Sequence, residues 1–476
     1  MIGWVVLGAA LGVFAITALS GRKGARDIGN FFHVDGLRRN ALALGIADIT
    51  LGTGFAYLLT ASSQFGWAML VLPLGVWVGY RLLGWVYRRA PSDRMVATSN
   101  ILLAIRDGAV HNRLAFDIMI TVPLIVVYIL FIAYEVFASS QLMAAFIAPN
   151  LSAAPAIIGA SIVAVSGINS VAGGAQSNWR NDKVLAAGIL FLFVVLLVAT
   201  AFHLSEGGRE SVGSGPRDWL AWTAITLLGF LAAVATQFYS LLNSFNASAF
   251  EQGSDAENMF RRVGLTIAGA LGLLVLVGAL DPLDMSRGFP TALGDRLAAI
   301  PVGETGRLGL QAVTVVGMVS VVFSTVDTLF MALAYFIRRH LLNRPTGHDA
   351  TSGESLAPSR RLVAMLAFGI VPPLAGLYLL KPNLFALLLT LGGGAAVYAP
   401  LIFAGALALS RSKLTAAPST RLLIFFLLLF IGSGTTSAVL AVRAPSQVPL
   451  ASLSWLVVAM VTALIWWLFS GRRQAG

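Results

Sequence analysis

The sequence predicts an all-α membrane protein that crosses the bilayer about thirteen times. Composition, the spacing of apolar runs and the placement of basic residues each point there. Of 476 residues, 57% are apolar and only 11% are Asp, Glu, Lys or Arg, against about 25% in an ordinary soluble domain. That little charge cannot cover a soluble fold of this size, so the apolar excess must face lipid. The chain has no cysteine, which excludes disulfides, thiolate metal sites and cysteine nucleophiles. A net charge of +11 is what a nucleic-acid binder would show, but the basic residues sit in short loops between apolar runs, where topology needs them. No nucleic-acid partner is expected.

About 20 apolar residues cross a bilayer as a helix. Thirteen runs qualify: 2–20, 39–60, 65–87, 114–146, 152–172, 183–203, 217–243, 262–280, 306–337, 361–380, 383–409, 421–442 and 449–470. Run one reads as a retained span, because no small-residue cleavage site follows it. With the N-terminus outside, the inward-facing segments carry 25 Lys and Arg and the outward-facing ones 7. This asymmetry predicts an N-out, C-in protein of the cell membrane. The 281–305 connection, with Asp281, Asp284, Asp295 and Glu304, then lies outside, and the Gly-, Ser-, Thr- and Pro-rich 340–360 stretch is a cytoplasmic linker. No P-loop motif is present, so transport would draw on an ion gradient or facilitation. No nucleophile constellation or paired His/carboxylate motif suggests an enzyme.

Charged residues at mid-span cost roughly 2.5–3.5 kcal/mol each on insertion scales and ask for a reason. Asp48 in run two lies among Gly45, Gly52 and Gly54, with Thr50 and Thr53. This is the composition of a broken helix lining a polar cavity, or of a close helix–helix contact. In run nine, Ser320, Ser324, Thr325, Asp327 and Thr328 crowd one stretch. Their oxygens suit a hard cation such as Na⁺, although such hydroxyls also bond their own i−4 carbonyls. In run four, Asp117 sits near the cytoplasmic end, and Glu135 lies deeper, where it could bind a substrate amine, relay a proton or pair within the bundle.

Four stretches resemble the sodium:solute symporter family, which includes sodium/proline and sodium/glucose cotransporters. They are FFHVDGLRRNALALGIADITLGTGFAYLL, VAGGAQSNWRNDKV, GMVSVVFSTVDTLFMALAYFIRRHL and LGGGAAVYAPLIFAGAL. The resemblance implies a LeuT-type fold with two inverted five-helix repeats, over 39–203 and 217–409. A peripheral first helix (1–20) and two C-terminal helices (421–470) flank them. It implies Na⁺ as the coupling ion, held by carbonyls of Ile46, Ile49 and Val321 and hydroxyls of Ser324 and Thr325. Asp48 and Asp327 would assist the ion, and Asp182 would serve its release. Tyr239, in ATQFYSLLN, would be a gate; Thr53, Glu135 and Asn243 are the remaining substrate or gate candidates. The tenth-helix segment looks more like the proline branch, which favours an amino acid or small carboxylate over a sugar. The expected function is Na⁺-coupled symport of a small solute by alternating access. A proton-coupled carrier and a non-transporting sensor on the same scaffold are the alternatives. No obligate protein partner is expected.

Overall fold

The computed structural model describes residues 2–21, 27–32, 49–89, 101–108, 113–205, 219–248, 250, 253–283, 289–344, 346, 355–382, 384–410, 418–444 and 447–470. Ile46 and Asp48 lie outside the described residues, as does the side chain of Thr53. All described regular structure is helical. It begins with α1 (Ile2–Gly21) and α2 (Ile28–Phe32). A π-helical turn over Leu51–Ala56 runs into α3 (Tyr57–Phe65), and a 3₁₀ turn over Gly66–Leu70 leads into α4 (Val71–Arg89). The short α5 (Ile101–Gly108) and α6 (Arg113–Phe116) precede a second π turn, Asp117–Thr121, and α7 (Val122–Ile147). Then follow α8 (Ala154–Ser205), α9 (Trp219–Tyr239), α10 (Leu241–Ala247), α11 (Gly253–Leu280), α12 (Phe289–Ala298) and α13 (Glu304–Phe336). The chain closes with α14 (Ala357–Leu380), α15 (Leu384–Ala396), α16 (Ala399–Ser410), α17 (Thr420–Arg443) and α18 (Val448–Ser470).

Ten described segments are long and apolar enough to cross a membrane, or eleven when the bent α9–α10 pair counts as one. The expected thirteen differ for physical reasons. Runs two and three continue into each other across Gly66, so Gly54–Arg89 forms one segment, and the start of run two falls outside the described residues. Run one passes the apolar test only as the shorter Gly3–Ile16. Run eleven, although it turns at Val397–Tyr398 between α15 and α16, still counts as one span over Thr390–Ala408.

Burial sorts the helices. The membrane-crossing window of α13 is 94% buried, whereas those of α14 and α18 are 22% buried and that of α17 is 28%. The polar-studded α13 is therefore the axis, and the uniformly apolar C-terminal helices face lipid, with Leu379, Leu380 and Val442 all at least 80% exposed. Such exposed apolar surface is stable only against acyl chains. Around α13 pack α8, α7 and α1, the last through Phe14 stacked on Phe323 at 5.0 Å.

Runs five and six are joined without a loop, because α8 bends at Gly174, whose φ of 57° and ψ of −152° are not helical. That backbone region is almost confined to glycine. A side chain there would also meet the carbonyl oxygen of Phe31, 2.5 Å from the Cβ position. On the other flank, Gly75 and Gly79 bring α4 against Phe230 and Val234 of α9, the close approach that small residues allow within a membrane.

Candidate functional site

A helix start and a helix break meet in the core. The first precedes Leu51: Thr50 is extended at φ −89°, ψ 148°, and the first turn closes through Phe55 N–H donating to the Thr50 carbonyl at 2.9 Å. Ile49 and Thr50 are thus non-helical; the Thr50 carbonyl accepts the first bond of the turn, and the Ile49 carbonyl stands outside the ladder. The second break is at Ser240, where α9 and α10 meet at 47°. Ser240 is extended at ψ 116°, and its hydroxyl accepts from Asn243 N–H at 3.2 Å, capping α10.

Against the first break lies α13. The Thr325 hydroxyl stands 3.3 Å from the Ile49 carbonyl and 3.0 Å from the Val321 carbonyl. Three of the five expected cation ligands therefore converge. The contact with Val321 is the i−4 bond that such hydroxyls make within their own helix; the contact with Ile49 reaches a second element. Ser324, which lines the cavity beside Thr325, donates to Asp182 Oδ1 of α8 at 3.0 Å. Asp182, Ser324, Thr325 and Asp327 are all buried.

Asp327 sits one turn on, in a knot that bridges the bend of α8. Asn169 Nδ2 donates to Asp327 Oδ2 at 2.7 Å and to Asn178 Oδ1 at 3.0 Å, and Ser177 donates to Asn169 Oδ1 at 2.5 Å. Asn169 and Asn178 were not singled out in the sequence, where isolated amides in apolar runs carry no distinguishing spacing. Asp117 is at the base of run four and pairs with Arg106 at 3.5 Å, away from this core.

Beside Thr325 is a cavity of about 170 Å³. Its polar lining includes Ser324, Thr325 and Thr328 of α13 with Thr50, Tyr128, Gln237 and Ser240, and no described lining residue is charged. Runs two, three, four, seven, eight and nine contribute to it, and run eleven does not. Asn243 acts at one remove, its Nδ2 holding the Gln237 backbone carbonyl at 3.1 Å and Oε1 at 3.0 Å. Tyr239 is buried beside Thr236, 3.2 Å between hydroxyls, and does not line the cavity. Glu135 is fully buried and accepts from Gly52 N–H at 2.7 Å.

A non-helical stretch before Leu51, a bent helix pair at Ser240 and a hydroxyl-bearing helix surround one polar cavity. The fold is of the LeuT type. A substrate-bound, outward-open Na⁺-coupled sialic acid symporter superposes with a TM-score of 0.63 at 12% identity, covering 98% of both chains. A manganese transporter of Eremococcus coleocola superposes with a TM-score of 0.51 at 12% identity, covering 93% of this chain and 99% of that one. No protein-family model matches the chain, and no curated protein sequence matches it. At such identities the likeness establishes architecture: a multi-spanning membrane protein with the scaffold of a secondary transporter.

Proposed function

We propose that the protein is a secondary active transporter that couples inward Na⁺ movement to uptake of a small organic solute, with an amino acid or small carboxylate favoured over a sugar. The observation that carries this reading is the Thr325 hydroxyl lying 3.3 Å from the Ile49 carbonyl, across 276 residues of sequence. Carbonyl and hydroxyl oxygens are what a hard monovalent cation needs. A cation held there ties α13 to the broken segment, so it favours whichever conformation brings the two together. The sialic acid symporter that shares the fold is Na⁺-coupled, which supports the same ion here. The membrane potential adds about 2.3 kcal/mol per charge per 100 mV to inward Na⁺ movement.

The cavity limits the solute. Its 170 Å³ falls below the roughly 300–1,000 Å³ typical of drug-sized ligand sites. A solute of amino-acid size suits it. Among the described residues, neutral hydroxyl and amide groups supply its polar lining.

Uptake into proteoliposomes of a panel of labelled amino acids, carboxylates and sugars, with an inward Na⁺ gradient or none, tests this reading. Accumulation of one solute class only under the Na⁺ gradient is expected. The buried Asp327 motivates the second reading, proton coupling on the same scaffold. Accumulation driven by a pH gradient without Na⁺, abolished in Asp327→Asn, would select it instead.

A further inference from the structure

Each helix break strands backbone N–H groups, since the first donors of a helix have no intrahelical partner. In a membrane interior no water is at hand to satisfy them. At the first break, Gly52 N–H donates to Glu135 Oε1 at 2.7 Å. At the second, Leu241 N–H donates to the Tyr128 hydroxyl at 2.8 Å. Both acceptors belong to α7. They are seven residues apart, which places them on one face and about 10.5 Å apart along the axis. Phe131, between them on the same face, lines the cavity. The fit at the first break is close. A Cβ on Gly52 would lie 2.8 Å from Ala138 Cβ and 3.0 Å from Glu135 Oε2, so the approach of the carboxylate to the backbone requires glycine.

We infer that Tyr128 and Glu135 are positioning residues forming a two-point clamp, by which α7 caps both broken helices and fixes their spacing. Glu135 caps the segment that carries the Ile49 carbonyl three residues upstream. Tyr128 caps the segment beside Ser240 and Gln237. A negative carboxylate at the start of a helical segment is further favoured by the segment's dipole. The clamp itself rests on geometry; only its consequence for cation binding rests on the transport reading.

Hydrogen–deuterium exchange of the full-length protein in lipid nanodiscs tests it. In Glu135→Ala, exchange over 50–56 is expected to rise about tenfold or more, as a charge-assisted bond is lost, with 240–244 unchanged. In Tyr128→Phe the pattern reverses. Glu135→Gln, which keeps a carbonyl acceptor, retains most of the protection over 50–56. Unaltered exchange at both breaks, or a rise spread evenly along the chain, would overturn the clamp. Should Glu135→Ala fail to fold, Tyr128→Phe removes a single oxygen and decides the question alone. Thermal stabilisation by NaCl relative to choline chloride supplies the functional arm. Half-maximal stabilisation should need about tenfold more Na⁺ in Glu135→Ala than in wild type. A wild-type protein indifferent to Na⁺ would remove the sodium reading while leaving the exchange pattern to decide the clamp.

Discussion

Thr325 carries the strongest single-residue claim. Its hydroxyl touches carbonyls of two elements, Ile49 O and Val321 O, whereas that of Ser324 is committed to Asp182. The two positions should therefore behave differently. Thr325→Ala is expected to raise the half-saturating Na⁺ concentration at least about tenfold, equivalent to about 1.4 kcal/mol, and Thr325→Ser, which keeps the oxygen, to restore it. Ser324→Ala leaves Asp182 short of a donor and should lower folded yield in detergent as well as Na⁺ affinity. Unchanged Na⁺ dependence in Thr325→Ala would remove that residue from the cation site. The hydroxyl pair was legible in the sequence because polar oxygens beside a carboxylate in an apolar run are costly and need a reason. Glu135 was legible as a problem but not as a solution. Its partner Gly52 is 83 residues away, and no local pattern encodes a bond between a side chain on one helix and a freed amide on another.

Between residues and the whole protein lie the breaks, and the sequence revealed them unevenly. Gly45, Gly52 and Gly54 around Asp48 marked the first. The second, at Ser240, carries no glycine or proline; a serine cap and a tyrosine from another helix produce it, so the seventh run read as one continuous span. The bend at Gly174 was visible only as the gap between runs five and six, because backbone angles of 57° and −152° have no signature beyond glycine itself. That bend sets the register of Asn169 against Asn178 and, through Asn169, the position of Asp327. Gly174→Ala meets both the strained conformation, at about 1–3 kcal/mol, and the Phe31 carbonyl. The expected outcome is a sharply lower melting temperature with little folded protein recovered. Gly269→Ala, where a new Cβ meets nothing within 4 Å, should behave as wild type.

At the scale of the whole molecule, alternating access requires that the two ends open in turn, and both ends are tied. At one, Asp281 at the end of α11 is buried between Arg296 of α12 and His203 of α8, each at 2.8 Å. At the other, the buried Arg106 of α5 donates to the His340 carbonyl at 2.6 Å and to Asn343 Oδ1 at 3.4 Å, and pairs with Asp107 at 3.1 Å and Asp117 at 3.5 Å. Arg106 thus joins a connecting helix, the base of α7 and the turn that follows α13, the helix of the proposed cation site. On the N-out orientation that the placement of Lys and Arg predicts, this is the cytoplasmic end. Opening there must separate those elements, so the bonds of Arg106 favour the conformation closed to the cytoplasm and contribute nothing once it opens. Arg106→Ala should then shift the population toward the inward-open form, and Na⁺ should oppose the shift if it binds the outward form better. The absence of native cysteine makes this directly measurable. A lone reporter, Thr328→Cys, lies on the cavity wall, and a membrane-impermeant maleimide supplied from the cytoplasmic side of inside-out vesicles reads its accessibility. Labelling should quicken several-fold when Arg106→Ala is added, and slow again in Na⁺. Equal labelling rates with and without Arg106 would make the cluster a static brace, and would move the control of opening to whatever holds α13 against α8.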